Sequence, residues 1–83
     1  MKQGNEWEIF AHNIAWLRKE HGFSKKRMAA VLGIGVRSLS AIERGELPPR
    51  LGVEVFFFVY DYFGIHPVIQ LTEPLWKKSE NNR

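Results

Sequence analysis

SKKRMAAVLGIGVRSLSAIERG, residues 24–45, is the stretch that decides the fold. Ser24 is a favoured helix N-cap, and Met28, Val31 and Leu32 follow at helical spacing, with Ala29 small enough for close approach. Gly33-Ile34-Gly35 breaks the run as a tight turn. A second short helix spans Val36 to Arg44, with Val36, Leu39 and Ile42 facing inward by spacing although Val36 is at the exposed tip, and Gly45 stops it. The stretch therefore reads as two short helices joined by a glycine turn.

That layout is a helix-turn-helix, whose second helix lies in the DNA major groove. The charge agrees with it. The whole chain carries a formal +3, but residues 18–50 hold eight cations (Arg18, Lys19, Lys25, Lys26, Arg27, Arg37, Arg44, Arg50) against three anions (Glu20, Glu43, Glu46). The flanks on either side are each slightly acidic, so the positive surplus sits on the two-helix unit, the footprint of a polyanion partner. Lys25, Lys26 and Arg27 occupy the first turn of a helix, where the macrodipole favours anions and each cation costs roughly 0.3–1 kcal/mol. Folding alone gives no reason for three cations there. A phosphate backbone does, drawn by the cations and by the free N–H groups together.

Working outward, the 83 residues suffice for one small domain, and 45% apolar residues allow a modest core. The chain has no cysteine, so disulfides and thiolate zinc sites are excluded. The N-terminus lacks the apolar segment of a signal peptide, and no apolar run is long enough to span a membrane; a soluble, cytoplasmic protein is expected. A first helix starts at Asn5, with Glu8 at capping-box spacing, aligns Trp7, Phe10, Ile14 and Leu17 on one face, and ends at Gly22. After the stiff Leu47-Pro48-Pro49 loop, a fourth helix begins at Gly52 or Val53 and runs to Phe63. Its stripes are Val53, Phe56, Val59, Tyr60 and Phe63 on one side, and Val55, Phe58 and Tyr62 on another. The run VEVFFFVY is also β-prone, so a strand competes here. His66-Pro67 opens a short last helix holding Val68, Ile69 and Leu71, and Pro74 ends regular structure. Residues 1–76 form the single domain, and 77–83 a polar, frayed tail.

The ordered set Leu17-Arg18, Ser24, Ala29, Leu32-Gly33, Ile42-Glu43-Arg44-Gly45 and Phe63-Gly64-Ile65 resembles the Cro/lambda-repressor-like (XRE-type) helix-turn-helix family over roughly residues 9–71. The resemblance implies an all-α, compact five-helix domain with the helix-turn-helix at helices 2 and 3, and it decides for helix in VEVFFFVY. It implies a sequence-specific regulator of transcription, expected to repress by occupying double-stranded DNA. By family position, Gly35, Val36, Arg37, Ser40 and Ala41 face the bases. Arg37 has the strongest chemistry, since a guanidinium grips guanine O6 and N7 bidentately. Lys25, Lys26, Arg44 and Arg50 are assigned to phosphates, with Arg27 a weaker member. Arg18 and Glu43 are expected to form a structural ion pair.

The aromatics left over on the fourth helix and the tail, Phe57, Phe58, Tyr62 and Trp76, suggest an interface. The family generally binds DNA as a dimer, which makes this the expected homodimer contact. The competing arrangement is that Leu75 and Trp76 fold back over the aromatics within one subunit. The alternative function is a protein-interaction module that retains the fold and binds a partner through these aromatics. No catalytic residues are expected: Ser24, Ser38 and Ser40 lack His/Asp partners, and His12, His21 and His66 lack metal-ligand spacing. No cofactor, metal, membrane or small-molecule partner is inferred.

Overall fold

The computed structural model describes residues 5–77. Its helices are α1 Asn5–Glu20, α2 Lys25–Leu32, α3 Val36–Glu43, α4 Glu54–Phe63 and α5 Pro67–Thr72. No strand occurs among the described residues, so VEVFFFVY is helical and the fold is all-α. Several boundaries have a local cause. Ser24 Oγ accepts the backbone N–H of Arg27 at 3.0 Å and caps α2. Gly33, at φ 70°, closes α2, and its backbone N–H reaches the carbonyls of Ala29 and Ala30. His66 Nδ1 accepts from Val68 N at 3.1 Å, and Pro67 follows at the first position of α5.

The core gathers Phe10, Ala11, Ile14 and Leu17 of α1, Met28, Ala29 and Leu32 of α2, Leu39 and Ile42 of α3, and Val55 and Val59 of α4. α1 lies against α3 and α5, α2 against α3 and α4, and α4 against α5. α3 is thereby held on the outside of the bundle, with Leu39 and Ile42 inward and the side that carries Val36 and Arg37 exposed.

Three expectations need correction. On α4 the buried face is Val55 and Val59, flanked by Phe56 and Phe63, while Val53 and Tyr60 are 67% and 46% exposed. The inward stripe is rotated by about half of the 100° residue step from the expected one, because Val55 points into the core and Phe58 lies over Gly33. On α5 the deepest residue is not one of the aliphatics but Gln70, whose Nε2 donates to the carbonyls of Phe56 (2.9 Å) and Ile65 (2.8 Å). Val68 is 58% exposed. Finally, Pro74 does not end regular structure, since residues 75–77 form a further helical turn. Proline is well suited to helix starts because its φ is already set.

A buried polar residue on α1, Asn13, fastens this C-terminal segment. Its Nδ2 donates to the carbonyls of Gln70 and Glu73, both at 2.9 Å, and its Oδ1 accepts from Leu75 N at 2.9 Å. Every hydrogen-bonding position of the amide is used except one lone pair, which makes its burial affordable. Trp76 then stacks on His12 of α1, ring centroids 3.8 Å apart and planes 19° from parallel. The segment does fold back, but onto α1. The tail beyond residue 77 lies outside the described residues.

Candidate nucleic-acid interface

The interface is built on α3 and the two segments beside it. Val36, Arg37, Ser40, Ala41 and Arg44 recur at i, i+1, i+4, i+5 and i+8, one side of a helix. They lie opposite the buried Leu39 and Ile42. Val36 is 43% exposed, so it belongs to this outer surface and not to the core. Arg37 is exposed, and Ser40 and Ala41 are half-buried. Gly35 precedes α3 with no side-chain cap, which leaves its first N–H groups open.

α2 brings Lys25 to this surface. Lys25 Nζ donates to Ser40 Oγ at 3.3 Å, joining the first turn of α2 to the middle of α3. Lys26 is exposed beside it. On the other flank the Pro48-Pro49-Arg50 loop meets Arg37, Ser38 and Ala41 around a shallow groove of about 280 Å³. Arg37 and Arg50 both line this groove, two cations over a mainly apolar floor.

Arg27 points elsewhere. Its guanidinium lies over the Phe23 ring, 4.9 Å from the centroid, and its Nη2 donates to the Tyr62 hydroxyl at 3.2 Å. Cation–π contact and hydrogen bond together hold it against the end of α4. Arg44 is paired as well. Its Nε and Nη2 donate to the two carboxylate oxygens of Glu46 at 3.2 and 3.0 Å. The pair is fully at the surface; hydrogen bonding first and charge attraction second lower the Glu46 pKa and raise that of Arg44. Glu46 was not singled out from sequence. Its signal is an anion two residues after Arg44, across Gly45, whose φ of 84° turns the chain back.

Arg18 and Glu43 hold α3 against α1. Arg18 Nε and Nη2 donate to the two carboxylate oxygens of Glu43 at 2.7 and 3.1 Å, and Nη1 donates to the Phe23 carbonyl at 3.2 Å. The side chains are only 16% and 10% exposed. The hydrogen bond to Glu43 raises the Arg18 pKa, burial opposes it, and the carboxylate charge adds to it. A planar fork meeting a carboxylate fixes orientation as well as distance.

The four aromatics expected at an interface part company. Phe57 is 55% exposed on the outer face of α4. Phe58 is 41% exposed and rests on the Gly33 turn, Tyr62 is 48% exposed and bonded to Arg27, and Trp76 is half-buried on His12.

This geometry defines a helix-turn-helix protein: α2 and α3 joined by a left-handed glycine, a basic rim, and a second helix open along one side. The family model described as Helix-turn-helix matches residues 14–58, more than half of the chain. The chain belongs to that family, the Cro/lambda-repressor-like group that its sequence resembles. No curated protein and no solved structure matches it.

Proposed function

We propose that this protein is a sequence-specific regulator of transcription, acting as a repressor that sets α3 into the major groove of its operator. The observation that supports the reading is the outward stripe of α3 flanked on both sides by cations: Lys25 and Lys26 from α2, and Arg50 from the loop after α3. In this reading Arg37 grips a guanine, Val36 and Ala41 touch thymine methyl groups, and Ser40 bonds a base edge. Lys25, Lys26 and Arg50 neutralise phosphates, with Arg44 a fourth cation at the same rim that is paired to Glu46; such contacts set register and make affinity fall steeply with salt. The protein acts as a homodimer through α4 and the C-terminal segment, with its two α3 helices about 34–36 Å apart, one DNA turn.

The test is binding to random-sequence duplex DNA over a salt series, followed by selection of bound sequences. A steep negative salt slope and an enriched palindrome are expected. Arg37→Ala should relax preference at one position of each half-site and cost about 1–3 kcal/mol on the selected sequence. Weak binding with no enriched sequence would favour the second reading, a protein-interaction module. Two observations favour that reading: the apolar Val36 and Ala41 on the reading helix, and the exposed Phe57 on α4.

A further inference from the structure

We propose that Glu46 limits the strength of DNA binding by holding Arg44 back from phosphates. This inference rests on the DNA-binding reading and adds a residue to it. Arg44 stands at the end of the outward stripe of α3, four residues beyond Ser40. Of the four cations assigned to phosphate, it is the one whose guanidinium is engaged by a carboxylate, in a two-pronged fork at 3.0 and 3.2 Å. Both side chains are about 60% exposed, so neither is buried for structural reasons. Among the three anions of residues 18–50, Glu43 is taken up by Arg18, and Glu20 ends α1. Glu46 is left at the edge of the binding surface.

The consequence follows from charge. A phosphate can reach Arg44 only by displacing the carboxylate, and the displaced carboxylate then stands near the DNA. Non-specific binding is almost wholly phosphate neutralisation, so it bears this penalty in full. A cognate site bears the same penalty beneath its base contacts from Arg37 and Ser40, so both affinities are held down and the ratio between them is kept. Glu46 therefore acts as a brake on binding to any sequence.

The experiment measures binding of wild type, Glu46→Gln, Arg44→Ala and the double variant to random duplex and to the selected sequence, each over a salt series. Glu46→Gln keeps the side chain's shape, and circular dichroism checks that each variant folds. The expected result is that Glu46→Gln binds random duplex severalfold tighter at low salt, with the log–log salt slope steeper by about 0.9, one added phosphate contact. The selected sequence should gain by a similar factor, and both gains should vanish in the Arg44→Ala background. Unchanged or weaker binding by Glu46→Gln overturns the proposal, as does a gain that survives without Arg44, which would reflect the general field alone. The wild-type curves test the DNA reading separately: if the wild type shows no salt-dependent binding, that reading falls and this inference with it.

Discussion

At the scale of single residues, the Arg18–Glu43 pair decides how firmly α3 is held. Both groups are largely withdrawn from water, so removing one leaves the other as an uncompensated charge. Arg18→Ala is expected to cost about 3 kcal/mol, and the Arg18→Ala/Glu43→Ala double variant less than that single change. Thermal melts of the three proteins check this; equal midpoints for the single and double variants would refute it. The pairing was legible in the sequence only through family resemblance, since two charges 25 positions apart announce nothing by spacing. Asn13 and Gln70 were not legible at all. Polar residues within amphipathic stretches read as surface, and only the assembled fold reveals the carbonyls that they serve. Glu46 was missed for a related reason: as one charge in a basic region it counts against the total, and its effect depends on which cation it faces.

At the scale of elements, the turn between α2 and α3 carries two constraints that composition does not separate. Gly33 sits at φ 70°, and a Cβ built there would lie 2.8 Å from Cε2 of Phe58. Gly22, at φ 67°, has nothing within 4 Å of the same position. Gly22→Ala should therefore cost only the backbone term of about 1–2 kcal/mol. Gly33→Ala should cost more, and Phe58→Ala in the Gly33→Ala background should cost less than Phe58→Ala alone. Chemical denaturation of these variants measures the difference; equal losses at both glycines would mean that the ring moves aside freely. The same contact explains why α4 was read with its face rotated. Its ten residues include eight apolar ones, so periodicity has little contrast from which to take a direction. The orientation comes from Phe58 meeting a surface without a Cβ. By comparison, α1, α2 and α3 mix polar and apolar residues, and the apolar part of their buried faces was legible.

At the scale of the whole molecule, the open question of partnership lies on α4. Val53, Phe57 and Tyr60 share its outer side, each about half exposed or more. We expect the protein to sediment as a dimer at micromolar concentration, and Phe57→Glu to shift it to monomer while leaving its helicity intact. A wild type that sediments as a monomer would remove the dimer from the proposal and leave the helix-turn-helix reading to stand on one half-site. The helical class of α1, α2, α3 and α5 was legible from caps, turns and spacing, and that of α4 chiefly through the family resemblance; the helical turn at 75–77 and the packing of the C-terminal segment were not. Trp76 looked like a spare aromatic because its partner, His12, is distant in sequence and carries no apolar signal.

The Asn13 amide also orders events in time. Its three bonds join α1 to residues 70–75, across separations of 57 to 62 positions, whereas α2 and α3 meet through a turn of three residues. Closing the longer loop costs more chain entropy, so that contact tends to form late and to open early. The protein thus carries a clasp at one end, whose release would loosen the last turns of the chain while the DNA-facing pair of helices remains assembled.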